Sequence, residues 1–205
     1  MNIDIIEFGD KSARWDLVQS FFEFRRKIFI ERMGWDLVPH YKIEFDQYDA
    51  FPTATYIIAH QDEKILGGAR LLRCDTEIGS GKVVYSYMIR DAWRGIIDLP
   101  DTICWHEPPK DVSSWELTRL LTVRPSPAIV RAILDRANRY LWERSAKNCL
   151  FLGPKSFMRM AKIFGYQPEA LGDVCGNKDG KFLAFRCAVQ ATRCEDPKIT
   201  FALET

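Results

Sequence analysis

Glu44-Phe45-Asp46-Gln47-Tyr48-Asp49 sets three carboxylates and two aromatics into six residues. Upstream lie Arg25, Phe29 and Trp35. Downstream, Arg70 closes Gly67-Gly68-Ala69-Arg70, and Trp115-Glu116-Leu117-Thr118-Arg119 pairs another acid with another arginine. Arginines at 25, 70 and 119 and carboxylates at 44, 46, 49 and 116 are thus spread over four segments. A charge on a buried face needs a partner, so the pattern predicts one polar cluster, buried or half-buried, that the fold assembles.

Working outward from that stretch, Ile3 to Phe8 alternates as a first strand and Gly9-Asp10 breaks it. From Ala13 to Ile30 apolar residues recur at helical spacing, and Arg25 falls on the same stripe, four residues from Phe21 and four from Phe29. Residues from Met33 to Pro52 have no sustained period and read as a long ordered loop, a length that is often functional. Ala54–His60 and Lys64–Arg73 read as a hairpin, with Gly67-Gly68 marking a bulge or close backbone approach. Cys74 to Ser113 reads as a second long loop with a short helix near Ser86–Trp93, and Trp115–Val123 as a central strand. Ser126-Pro127 opens a helix running to about Arg144. Cys149–Leu152 reads as a strand, Ser156–Phe164 as a helix stopped by Gly165, Phe182–Gln190 as a late strand, and Thr200–Leu203 as a further edge. The order predicts an α/β (α+β) fold: a single domain over residues 1–205, with a mixed sheet flanked by helices.

With 47% apolar and 28% charged residues, 205 residues make an ordinary globular composition. A net charge of +1 gives no global field for nucleic acid, but charge is uneven along the chain. From Arg124 to Lys162 nine basic residues face two acids, and from Glu31 to Asp49 five acids face two basic residues. No secretory leader and no membrane span is expected. The six cysteines form no C-x-x-C pair and the three histidines have no metal spacing. A reduced, cytoplasmic protein without structural metal follows.

Arg25-x3-Phe29, Trp35, Glu44-x-Asp46-x2-Asp49, Arg70-Leu71-Leu72, Trp115-Glu116-x2-Arg119-x3-Val123 and Phe164-Gly165-Tyr166 followed by Leu171-Gly172 together resemble the LuxI-type acyl-homoserine-lactone synthases, from about Phe21 to Gly172. The resemblance implies a fold like the GNAT acyltransferases. It implies two substrates and no cofactor: S-adenosylmethionine, and an acyl thioester on acyl carrier protein or coenzyme A. The products would be an N-acyl-homoserine lactone for quorum sensing, 5′-methylthioadenosine and the free thiol carrier. Gly153-Pro154-Lys155 and the C-terminal third depart from the family pattern.

The chemistry of those substrates suits the residue types. A sulfonium wants carboxylates and aromatic faces, and a substrate carboxylate wants an arginine. Arg25, Phe29, Trp35, Asp46, Asp49, Arg70 and Arg119 are the expected substrate-binding set. An α-amine with a pKa of about 7.7–8.0 needs only modest help to lose a proton. Glu116 is the expected base, with Glu44 second. Backbone amides at a splayed strand edge after Arg119 would meet the oxyanion. Arg131, Lys155, Arg159 and Lys162 are expected to face outward and receive an acidic carrier protein.

Blander readings stand beside these. The acids at 44–49 suit a solvated loop or plain buried salt bridges, though not a calcium loop, which needs a glycine and a different spacing. A GNAT N-acyltransferase acting on another amine would want a glycine-rich pyrophosphate loop, and Val123–Ala128 has no glycine. A non-catalytic S-adenosylmethionine-binding protein would keep the same site without turnover.

Overall fold

The structure, a computed structural model, describes residues 1–191 apart from 12, 36 and 38–41. The edge strand expected at Thr200–Leu203, Cys194 and His40 lie outside the described residues. The elements in chain order are β1 (Asn2–Glu7), α1 (Trp15–Arg26), β2 (Thr55–Gln61), β3 (Lys64–Arg73), β4 (Ile78–Ser80), β5 (Val83–Tyr85), α2 (Met88–Trp93), β6 (Ser114–Thr122), α3 (Pro127–Glu143), β7 (Asn148–Gly153), α4 (Lys155–Ile163), β8 (Glu169–Ala170), β9 (Cys175–Asn177) and β10 (Gly180–Ala188). The main sheet runs β1-β2-β3-β6-β7-β10-β8, with β9 added to β10. β6 and β7 are parallel and the other pairs are antiparallel. The mixed sheet and the helices were expected from the sequence. The β4–β5 hairpin was not, because three-residue strands are too short to show alternation.

Both faces of the sheet are covered, and strand alternation divides the core in two. Tyr56 and Ile58 of β2 join Leu17, Val18 and Phe21 of α1 on one face. Ile57 and Ala59 join Ile133, Leu134, Ala137 and Leu141 of α3 on the other. Helix α3 begins as expected, with Ser126 Oγ accepting from the Ile129 amide at 3.4 Å and Pro127 at its first position. Among the described residues no helix is long and apolar enough to cross a membrane.

Two backbone irregularities matter for the site. The helix expected to run to Ile30 changes character: α1 ends at Arg26 and continues as a π-helical turn, Lys27–Arg32. That wider turn ends with the Trp35 amide on the Phe29 carbonyl at 2.9 Å, which brings the Trp35 ring back onto Phe29. The second irregularity is in β6. Arg70 pairs with Thr118 and Gly68 with Leu121, so two residues, Arg119 and Leu120, oppose Ala69 alone. Arg119 takes a φ of +56° at this bulge. The glycines opposite serve close approach, as expected: a Cβ on Gly67 would stand 2.7 Å from the Leu121 oxygen, and one on Gly68 would stand 2.9 Å from the Phe21 ring.

A bulged strand bends, and β6 parts from β7 at this level. Their parallel pairing covers Ser114–Leu117 against Asn148–Phe151 and then stops. β6 stays paired to β3 as far as Thr122, and β7 to β10 as far as Gly153. A gap therefore opens between two strands that each remain in the sheet. Helices α3 and α4 both begin at this end, the carboxyl ends of two parallel strands, where open α/β sheets place their ligands.

Candidate active site

Helix α1 buries a charge on its sheet-facing stripe. Arg25 has no exposure and is held by the loop that follows. Its Nε donates to Glu44 Oε2, while Nη1 and Nη2 donate to Asp49 Oδ1 and Oδ2 at 2.9 and 2.8 Å, a bidentate fork. Arg70, from the same face of β3, is also fully buried. Its Nη1 reaches Asp46 Oδ1 at 2.6 Å and Asp49 Oδ1 at 2.8 Å, and its Nε donates to Thr118 Oγ1 at 3.3 Å. Arg119 Nη2 donates to Glu44 Oε1 at 3.0 Å and to Asp46 Oδ2 at 2.7 Å. Three guanidiniums and three carboxylates meet, so their formal charges cancel.

The acidic loop is shaped to present these groups. Asp46 caps the 3₁₀ turn Gln47–Ala50: its Oδ1 accepts from the Tyr48 and Asp49 amides at 2.9 and 3.2 Å, and Asp49 Oδ2 accepts from the Asp46 amide at 3.0 Å. The Glu44 amide donates to the Phe22 carbonyl at 3.1 Å, tying the loop to α1. Tyr56 OH adds a bond to Asp49 Oδ1 at 3.0 Å. Burial works to raise the Asp49 carboxyl, but the charges of Arg70 and Arg25 outweigh it and hold it far below the usual range. Burial also works upward on Glu44, where Arg119 and Arg25 win and hold it low. With both oxygens taken by guanidiniums, Glu44 suits an anchor rather than the proton acceptor expected as a second choice.

One corner of this cluster reaches solvent. The Asp46 side chain keeps 13% exposure and that of Arg119 6%, against none for Arg25, Arg70 and Asp49. The Arg119 guanidinium lies 5.1 Å from the centre of the Phe29 ring, and Phe29 stacks on Trp35 at 4.6 Å with the rings 12° apart. The expected set is therefore brought together and divides in two. Trp35, Asp46 and Arg119, with the buried Phe29 ring packed against them, form a half-buried wall beside the β6–β7 gap, and Arg25, Glu44, Asp49 and Arg70 form the buried frame behind it.

Glu116 stands apart from the ion pairs. It is fully buried and points at α2, where Oε2 accepts from the Met88 amide at 3.0 Å and Oε1 from the Ile89 amide at 2.8 Å. Burial pushes its carboxyl up to about 7, against the pull of those two amides and of the Arg70 charge. Met88 links the two systems, since its sulfur lies 3.7 Å from Arg70 Nη2. A second buried carboxylate, Asp91 of α2, accepts from Tyr48 OH at 3.0 Å and from the Ser86 amide. Sequence reasoning missed Met88, Asp91, Tyr48 and Tyr56. Tyr48 was readable as the aromatic between the acids, but no spacing joins it to Asp91.

Arg131, Lys155, Arg159 and Lys162 are all exposed, on α3 and α4. Arg131 is 3.6 Å from Asp135. Among the described residues no group of three or more His, Cys, Asp or Glu is placed to hold a metal.

The division of the cluster has a testable consequence. Asp49→Asn leaves two fully buried guanidiniums short of a counter-charge and should cost about 3–5 kcal/mol of unfolding free energy. Asp46→Asn, at the solvent-facing corner, should cost markedly less. Urea denaturation of both variants decides it, and equal losses would give the two carboxylates the same structural weight.

A protein family described as autoinducer synthase matches residues 11–99. An acyl-homoserine-lactone synthase of Aeromonas salmonicida is 29% identical over 107 residues, 52% of this chain and 44% of its own length. One of Pseudomonas aeruginosa is 34% identical over 99 residues, 47% of this chain and 41% of its own length. This chain thus spans less than half the length of these relatives. TofI, solved in a ternary complex with an inhibitor and MTA, has a TM-score of 0.74 at 22% identity over 93% of each chain. BjaI, a CoA-dependent acyl-homoserine lactone synthase solved with SAM and isopentyl-CoA, has a TM-score of 0.76 at 16% identity, over 94% of this chain and 85% of its own. An acyl-CoA N-acyltransferase from Pseudomonas aeruginosa has a TM-score of 0.59 at 12% identity, over 91% of this chain and 99% of its own. The expected GNAT-like fold is therefore established, and over about half of its length the chain is similar to the autoinducer synthases, the acyl-homoserine-lactone synthases of the LuxI type.

Proposed function

We propose that this protein acylates the α-amine of S-adenosylmethionine from an acyl thioester and closes the homoserine lactone. The observation that carries this reading is the half-buried corner where Phe29, Trp35, Asp46 and Arg119 meet beside the β6–β7 gap. Asp46 and the two aromatic rings suit the sulfonium and adenine, and Arg119 suits the substrate carboxylate. The buried frame of Arg25, Glu44, Asp49 and Arg70 fixes that corner and touches no substrate. A GNAT acetyltransferase acting on another amine shares the fold, but the glycine-free link after β6 speaks against it. We place the reaction in the cytoplasm, where thiols stay reduced.

In the first step the neutral amine attacks the thioester carbonyl. A C–N bond forms, the C–S bond breaks, and the thiolate leaves as the amine gives up its proton. Amides freed where β6 leaves β7 would receive the oxyanion. Glu116 takes the proton through a water, since burial pushes its carboxyl up to about 7 and Met88, whose amide it accepts from, joins it to the cluster at Arg70. In the second step the substrate carboxylate attacks its own γ-carbon. A C–O bond forms, the C–S bond breaks, and the electron pair goes to the sulfonium, releasing neutral methylthioadenosine. The acyl donor is best read as a carrier protein. The exposed Arg131, Lys155, Arg159 and Lys162 flank the end of the sheet where the gap opens and would attract an acidic partner.

Given S-adenosylmethionine and an acyl thioester, the protein should release methylthioadenosine and free thiol in equal amounts. Thiol without methylthioadenosine would mean acylation of some other amine, or thioester hydrolysis.

Glu116→Gln should lower kcat by about 100-fold or more, in the range of lost general-base catalysis, with little change in the KM for S-adenosylmethionine. A base must be deprotonated, so wild-type kcat should rise with pH through about 7, and the variant should lose that limb. A raised KM at normal kcat would make Glu116 an anchor for α2 alone.

Reversing Arg159 and Lys162 to Glu should raise the KM for a carrier-bound donor and leave that for S-adenosylmethionine unchanged. The difference should shrink in about 1 M salt, where the Debye length falls to about 3 Å. An unaltered donor KM would remove this face as the carrier dock.

A further inference from the structure

We infer that the acyl group this protein transfers is short, of butanoyl or isobutanoyl size, because the apolar recess behind the β6–β7 gap is already filled by aromatic side chains; the inference rests on the synthase reading above. The recess lies on the α3 side of the sheet. Leu120, in the bulged part of β6, and Phe151, the last residue of β7 paired to β6, line it on the side of those two strands. Phe157 and Met160 of α4, Tyr166 and Phe185 of β10 line it with them. Anything that passes between the parted strands toward this face meets that wall first.

The wall has little freedom to retreat. Phe151 and Phe185 stack across the β7–β10 pair, with centroids 5.0 Å apart and planes 11° apart. Phe157 lies flat on the end of β7, where a Cβ on Gly153 would be only 2.7 Å from its ring. Tyr166 OH donates to the Leu134 carbonyl at 3.4 Å. Met160, unbranched and flexible, is the one side chain here suited to swing aside. The free space between these groups, about 10 Å³ for the centre of a water-sized sphere, holds about one water. Movement of Met160 makes room for a few carbons. A long chain would need several stacked rings to leave their places at once.

A hydrophobic pocket discriminates by about 10- to 200-fold for each methylene that it rejects. The purified protein, saturated with S-adenosylmethionine, is offered butanoyl, isobutanoyl, octanoyl and dodecanoyl thioesters, each as coenzyme A and as carrier-protein conjugate. Methylthioadenosine release and product mass are read. The butanoyl or isobutanoyl donor should exceed dodecanoyl by at least about tenfold in kcat/KM. Phe157→Ala should raise the octanoyl-to-butanoyl ratio by at least about tenfold without changing the KM for S-adenosylmethionine. Met160→Ala should move it in the same direction and serves if the first variant fails to fold. A wild type that uses dodecanoyl as well as butanoyl overturns the inference and leaves the synthase reading intact, as does an unchanged ratio in a folded variant. No methylthioadenosine from any donor overturns the synthase reading and this inference with it.

Discussion

Asp49 carries the charge of two guanidiniums that never meet solvent, Arg25 from α1 and Arg70 from β3. That shared carboxylate fixes the helix to the sheet and the acidic loop to both. A pair of buried charges replaced by well-packed apolar side chains often loses no stability, whereas one left unpaired is costly. The cluster is thus poor material for stability alone and good material for placement. Each guanidinium donates along only a few fixed directions, so Glu44, Asp46 and Asp49 are held in one arrangement. An apolar contact between the same elements would tolerate sliding.

The second constraint comes from β6. Simple alternation would put residue 119 on the face of Trp115 and Leu117, against α3. The bulge and the left-handed φ of +56° turn Arg119 over to the opposite face, where Glu44 and Asp46 receive it. A non-glycine residue in that conformation costs about 1–3 kcal/mol and persists only where its surroundings hold it. Here two carboxylates and the Phe29 ring do so. The same bulge bends β6 away from β7, so one residue closes the charge cluster and opens the gap beside it.

Much of this was legible in the sequence because charge on an apolar stripe is informative. Arg25 sits where Phe21 and Phe29 predict burial, and the acids at 44–49 were the nearest available partners. The glycines at 67 and 68 announced close backbone approach, and Ser126-Pro127 announced α3. The π-helical turn left no trace, since Lys27–Arg32 has the composition of ordinary helix. The bulge at Arg119 left none either, because arginine is not a residue that marks a left-handed position. Glu116 was singled out for its place on the central strand, but its partners are backbone amides of α2, and amides have no sequence signature. The same holds for the division of the cluster into frame and corner. Exposure differing by a few per cent between neighbouring charges depends on packing that no spacing encodes.

Glu116 shares the α1 face of the sheet with Glu44 and Asp49, yet its acidity moves the other way, and the reason lies in what each carboxylate faces. Glu44 and Asp49 meet full positive charges that outweigh their desolvation. Their contribution to stability is present above the unfolded-state pKa and is lost only as pH falls through the depressed folded values. Glu116 meets two amide dipoles and a more distant guanidinium, which do not outweigh burial, and it titrates at about 7. Its folded pKa is raised, so the sign reverses: the folded state loses stability as pH rises from the ordinary carboxylate range toward 7. Around neutral pH this carboxyl is therefore balanced between its two forms, and a proton enters or leaves it at small cost. The frame acids cannot exchange a proton in that range without leaving guanidiniums unpaired. Fixed charge and transferable proton are thus separated within one buried face by counter-charge alone, with Arg70 touching both systems through Asp49 and Met88.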